Sequence, residues 1–209
     1  MTPKTAVPER RSARERLLAA AEELFYGEGI NTVGIDRIIE RAGVAKASLY
    51  DCFGSKEELI RSYLSARHES RQQRITEGLK RFATPREKLL GVFDIQGEVF
   101  RAKSYRGCPF VRASAEVKPD SAGKVVCDES RGWLRALFLD LAKEAGAHDA
   151  PVLADQLLLI YDGAAVSAQM DESKASIGNA REVAELLLEK HLNRRQLAHE
   201  RGDDTARVV

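Results

Sequence analysis

Gly34–Lys56, GIDRIIERAGVAKASLYDCFGSK, is the stretch whose reading decides the fold. Ile35, Ile38, Ile39 and Ala42 recur at helical spacing, so one face of a short first helix is apolar. Gly43 follows at once, and glycine is the residue expected where a helix ends and the chain reverses through left-handed backbone angles. Val44, Leu49 and Phe53 resume the apolar pattern in a second short helix. Ala45, Lys46, Ala47 and Ser48 open that helix with small or basic side chains, which let a neighbouring surface approach closely. Helix, tight glycine turn, short helix is the helix-turn-helix pattern, whose second helix can enter a DNA major groove. The plainer alternative is an ordinary pair of packed helices, which short apolar patterns alone do not exclude.

The order of residues decides between the two. Ala42-Gly43-Val44, Ala45, Lys46, Ala47, Ser48, Leu49-Tyr50, Asp51-Cys52, Phe53 and Ser55-Lys56-Glu57 resemble, nearly position by position, the N-terminal DNA-binding domain of the TetR family of transcriptional repressors. With the preceding helix the resemblance covers about residues 12–65. It implies that Tyr50 and Lys56 contact phosphates. Lys46 is assigned to a base edge or a phosphate, and Ala45, Ala47 and Ser48 to close approach at bases or sugars. Arg37 projects from the first helix of the pair as a further phosphate candidate, with Thr32 as a weaker one. Two departures stand out. Asp51 and Cys52 sit where the family often has His or Tyr, so Asp51 either reads a cytosine amino group or faces away from DNA. Val33-Gly34 replaces a hydroxyl pair, which leaves the backbone N–H at Gly34 as the phosphate contact there.

Composition narrows the class without naming a partner. The chain has 209 residues, 44% of them apolar, enough for a real core. Net charge is only +1, and residues 1–56 hold nine Lys/Arg against eight Asp/Glu, so bulk charge does not announce nucleic acid. The local surplus lies in Met1–Arg16, where Lys4, Arg10, Arg11, Arg14 and Arg16 outnumber Glu9 and Glu15 and form a candidate phosphate-binding arm. Cys52, Cys108 and Cys127 are far apart and show no zinc spacing, so no metal or cofactor is expected and the thiols read as reduced. No signal peptide or membrane span is evident, and a cytoplasmic location is expected.

Taken in order, the chain reads as all-α with about nine helices. A disordered arm (1–9) precedes a three-helix DNA-binding domain (10–54). Ser12 and Glu15 form a capping-box pattern at its start, and Phe25 and Phe53 are core candidates. A helical ligand-binding and dimerisation domain follows (55–197), with helix 55–82 as connector, and 198–209 is a disordered tail. Pro85 opens a fifth helix. Gly107-Cys108-Pro109-Phe110 breaks into a short sixth. Ser121–Ala145 makes a seventh, with Trp133 facing the fifth. Asp149 caps the eighth, and Gly178-Asn179 precedes the ninth.

The resemblance places an effector pocket inside helices 4–7, bounded by helix 8. Phe93, Gln96, Phe100, Cys108, Phe110, Trp133, Leu137 and Tyr161 are its expected lining, a set suited to a small, largely apolar molecule. Gln96 interrupts an apolar stripe, so its amide is either satisfied by neighbouring backbone or faces a ligand. The eighth helix is apolar nearly all round. The resemblance implies a twofold dimer through Leu157, Tyr161, Ala164, Ala165, Ala168, Val183, Leu186 and Leu187. The function expected is a homodimeric repressor released from a pseudo-palindromic operator by a small-molecule effector. The alternatives are a DNA-binding regulator without an inducer and a helical protein–protein adaptor. His68, His148, His191 and His199 are scattered with no acid, base or nucleophile arrangement, so no catalytic residue is assigned and an enzyme is not expected.

Overall fold

The computed structural model describes residues 11–171 and 175–192. The expected N-terminal arm (1–9) and tail (198–209) lie outside the described residues. Among those described, every regular element is a helix: α1 (Ala13–Glu28), α2 (Ile35–Ala42), α3 (Lys46–Phe53), α4 (Lys56–Leu79), α5 (Pro85–Phe100), α6 (Pro109–Glu116), α7 (Ala122–Glu144), α8 (Ala150–Met170) and α9 (Ala175–Leu192).

The chain forms two compact units, and they are not divided at residue 54 as the sequence suggested. One comprises the described residues up to Arg67 together with Pro109–Cys127; the other comprises His68–Cys108 and the described residues from Asp128 on. The difference is non-local. α6, expected in the ligand domain, is in the same unit as the helix-turn-helix.

In the first unit, Ser12 caps α1 in a capping box with Glu15, and α1 stops at Gly29, whose φ of +99° suits no L side chain. Leu17, Ala21 and Phe25 of α1, Ile38 of α2, Leu49 and Phe53 of α3, and Leu59 and Tyr63 of α4 are buried as its core. Phe25 meets Tyr63 edge-on with ring centroids 5.6 Å apart. Burial pushes the Tyr63 phenol up to about 12, so it stays protonated.

In the second unit, Thr84 and Glu87 form a capping box at α5 with Pro85 in its first turn, and Asp149 caps α8 by accepting from the Val152 N–H at 3.2 Å. Phe93, Phe138 and Tyr161 pack three ways, with ring centroids 6.0–6.2 Å apart. Trp133 is half-buried, sets its ring edge-on against His68 of α4, 6.1 Å away, and packs against the core that holds Phe93 of α5. One expectation is corrected here. α9 begins before Gly178-Asn179 and not after it, at Ala175. A methyl group added to Gly97 of α5 would lie 3.3 Å from Ile177, so packing of that first turn outweighs the local break signal.

Candidate nucleic-acid interface

The turn between α2 and α3 is built from both sides. Gly43 adopts φ +62°, ψ +45° and donates its N–H back into the last turn of α2. Arg16 of α1 then donates Nη1 to the carbonyls of Gly43 (2.9 Å) and Ala42 (3.3 Å), orphan acceptors at the end of a helix. Arg14 lies over the Phe53 ring, 5.0 Å from its centroid. Arg14 and Arg16, expected in a phosphate-binding arm, are therefore engaged in holding α1 against the turn and α3. Lys4 and Arg10 lie outside the described residues.

α3 is buried on one side by Leu49 and Phe53 and open on the other, where Ala45, Lys46, Ala47, Tyr50 and Asp51 are exposed and Ser48 is half-buried. Its N-cap, Ala45, makes no side-chain cap. Thr32, Gly34 and Arg37 are also exposed, and a Cβ at Gly34 would touch nothing within 4 Å. A helix N-terminus with an exposed glycine N-cap of this kind is a suitable phosphate site. α2 has no side-chain cap of its own at Gly34.

The cations of this surface are not bare. Arg37 forms a two-bonded pair with Glu28 (2.6 and 2.9 Å), Arg41 pairs with Glu23, and Lys46 reaches Asp36 at 3.1 Å. The hydrogen bond from Arg37 holds the Glu28 carboxyl below its usual value, and the bond to Asp36 raises the Lys46 ammonium above its own. All these groups are solvent-exposed, where ion pairs are weak and readily exchanged for phosphate.

Lys56 is placed differently from the expectation. It is half-buried, donates to the Ile30 carbonyl at 2.8 Å and sits above the Phe25 ring, so it braces the turn before α2. Burial lowers its pKa, with Glu116 pulling the other way.

In the second unit, seven of the eight expected pocket residues belong to one core. Phe93, Gln96, Phe100 and Tyr161 are buried, and Cys108, Trp133 and Leu137 pack against that core half-buried. Phe110 is buried in the first unit. The Gln96 amide is satisfied by neighbouring backbone through one of its two polar atoms. Its Nε2 donates to the Tyr161 carbonyl at 3.0 Å, while its Oε1 is buried with no hydrogen-bond partner among the described residues. Of the expected dimer residues, Leu157, Tyr161, Ala164, Ala165 and Ala168 are buried within the unit itself, and Leu187 is half-buried. The large apolar side chains of these two helices left in solvent are Val152, Leu159, Val166 and Met170 on α8, with Val183 and Leu186 on α9. Beside them runs an open groove of about 390 Å³, lined by residues that include Ile160, Gly163, Ser167, Asn179 and Val183.

Sequence reading gave Arg16 another role and missed Glu116. For Arg16 one signal was present, a cation beside Leu17 on the packing face of α1. Glu116, described below, offered none, because its partner lies 85 positions away.

An exposed, lightly capped second helix set on a glycine turn defines a helix-turn-helix DNA-binding regulator. Residues 17–63 match the family described as bacterial regulatory proteins, tetR family. The fold of sav143, a Streptomyces avermitilis protein assigned to the tetR transcriptional regulators, superposes with a TM-score of 0.78 at 30% identity, covering 87% of this chain and 98% of that one. The chain belongs to the TetR family of transcriptional regulators. It is also similar to the transcriptional activator FasR of Mycolicibacterium smegmatis, at 35% identity over 38% of this chain and 36% of FasR. The transcriptional repressor NemR of Escherichia coli is 32% identical over 50% of this chain and 53% of NemR. These alignments span about a third to a half of the curated relatives' length. No helix among the described residues is long and apolar enough to cross a membrane.

Proposed function

We propose that the protein is a homodimeric repressor that holds a pseudo-palindromic operator with one α3 from each protomer and is released by a small, largely apolar effector. The observation that carries the reading is the two-sidedness of α3, with Leu49 and Phe53 buried and Ala45, Lys46, Ala47 and Tyr50 open. One such helix spans only a few base pairs, and a twofold pair doubles the site and fixes the half-site spacing. In this reading Lys46 approaches base edges or phosphate, Tyr50, Arg37 and Thr32 meet phosphates, and the N–H groups after Gly34 hold another. The stripe of Leu159, Val166 and Met170, with Val183 and Leu186 beside it, supports pairing through α8 and α9, because a contiguous apolar patch in solvent is costly. The aromatic core around Phe93 and the unpartnered Gln96 Oε1 support an apolar effector carrying one hydrogen-bond donor. Repression rather than activation is favoured by the likeness to NemR, and the likeness to FasR makes activation the runner-up. The close packing of Phe93, Phe138 and Tyr161 favours a second variant of the reading, a regulator that takes no inducer.

Selection of bound duplexes from a random pool by the full-length chain tests the proposal. The expected result is one enriched pseudo-palindrome bound by a dimer. A folded protein that enriches no sequence, and from which no small molecule can be extracted, would contradict it.

A further inference from the structure

Resting on that reading, we propose that α6 is a working part of the DNA-binding unit, with Glu116 as the positioning residue that fixes where α2 begins. The Glu116 carboxylate accepts the Asn31 N–H at 2.8 Å, and the Glu116 carbonyl accepts the Asn31 side-chain amide at 2.9 Å. The same carboxylate fills the space beside Gly29, where an added Cβ would lie 3.0 Å from it. One turn earlier, Arg112 donates to the Tyr26 carbonyl at 2.6 Å, in the last turn of α1. Between these contacts Phe25, Tyr26, Ile30, Tyr63, Arg112 and Ala113 surround a void of about 10 Å³, room for a single water at most. α6 is therefore packed onto the turn rather than passing near it.

The turn is held on two sides. Lys56 of α4 takes the Ile30 carbonyl, and Glu116 takes the next N–H. Three residues on, Gly34 starts α2 without a side-chain cap. Most helices fix their first turn with a cap hydroxyl or carboxylate. Here that local device is missing, and the start of α2 is set by the turn before it. The clamp thus orients Thr32 and the N–H groups following Gly34, which are the groups placed to hold a phosphate. A charge-assisted hydrogen bond to backbone is strong enough for its loss to be read in affinity.

The test uses the full chain and an operator selected as above. Glu116→Ala is expected to bind that operator about tenfold more weakly, the change in affinity equivalent to one such bond. Glu116→Gln, which keeps an acceptor for the Asn31 N–H, is expected to recover most of that loss. Asn31→Ala, a change at an exposed position, is expected to weaken binding a few-fold and to add less than its full effect to Glu116→Gln. A readout independent of DNA is amide exchange. The Asn31 amide is expected to exchange faster in Glu116→Ala while the Leu49 amide keeps its wild-type rate. Wild-type operator affinity in both Glu116→Ala and Asn31→Ala, or an unchanged Asn31 exchange rate, would overturn the proposal. If Glu116→Ala loses its helical signal, Glu116→Gln and Asn31→Ala decide the matter. A wild-type chain that enriches no operator would fail the regulator reading itself and the positioning role with it, a result distinct from a wild type that binds and a Glu116→Ala that binds equally.

Discussion

Among the described residues, the exposed faces of α3 and of α8–α9, to which the proposed function assigns DNA and a second protomer, are made in opposite ways. On α3 the open residues are small, basic or hydroxylic save for Asp51, and nearby cations are already matched to carboxylates. On α8 and α9 the large apolar side chains Val152, Leu159, Val166, Met170, Val183 and Leu186 stand open, among exposed polar residues such as Asp155, Gln169, Asn179 and Glu182. The first surface gains by exchanging one set of charges for another, as phosphate requires. The apolar stripe of the second gains by leaving water, as burial against another protein surface would allow. The same contrast runs inward. The first unit's working surface lies outside its core, whereas the second unit's polar curiosity, Gln96, lies within one.

If the division is right, damage to the core of the second unit lowers stability while leaving the reading surface competent. Phe93 is fully buried. Phe93→Ala is expected to cost about 3–5 kcal/mol, seen as a drop of roughly 6–20 °C in the thermal midpoint. Below that midpoint, operator affinity per folded molecule should stay at the wild-type value, and a specific loss of affinity in fully folded protein would break the comparison.

The converse sharpens it. Lys46→Ala touches only an exposed side chain, so the thermal midpoint should not move. Affinity for a selected operator should fall about tenfold at low salt, and the slope of log affinity against log salt should flatten by about one unit. An unchanged slope would remove Lys46 from the phosphate contacts.

The smallest effect expected is one of pH, confined to the second unit. His191 is buried at the end of α9, stacked on His148 with ring centroids 4.7 Å apart and Nε2 3.2 Å from Gln156 Oε1. Burial, followed by the charges of His148 and Lys190, lowers its pKa from 6.5, against the pull of Asp149. An imidazole whose folded pKa is depressed contributes stability that is complete above the unfolded value and is lost as pH falls below it, because the unfolded chain takes the proton first. The thermal midpoint should therefore decline on acidification below about pH 6.5. In His191→Gln the decline should be smaller. An equal decline in both would assign the acid sensitivity elsewhere, for example to His68, whose pKa burial and Arg71 also lower.

What could be read in the sequence was what is local in the chain. The caps at Ser12 and Asp149 are interactions over three residues, and each is present, as is Pro85 in the first turn of α5. The α2–α3 turn is marked by Gly43 and by apolar spacing within eight-residue helices, and its exposed and buried sides fall as that spacing requires. What was not legible depends on partners far away. Lys56 carries a family motif, yet its ammonium goes to Ile30, 26 residues back. Glu116 looked like the end of a short helix in a ligand domain, and its partner is Asn31. The ring contact of Trp133 with His68 was not legible either, because periodicity gives a face and not what packs on it. Of the residues expected to pair protomers, five are buried within their own unit and Val183 and Leu186 stand exposed, while the exposed Leu159, Val166 and Met170 were not among those expected.

The most direct measurement is photocrosslinking from one reporter on each surface, in the presence of a selected operator. A photoreactive side chain at exposed Ala47 on α3 and, in a separate protein, at Leu159 on α8 would be activated in the same complex. The account predicts that position 47 crosslinks to bases in the two half-sites and position 159 to a second copy of the chain. Crosslinking of DNA from position 159, or none from position 47 while the operator is bound, would contradict it.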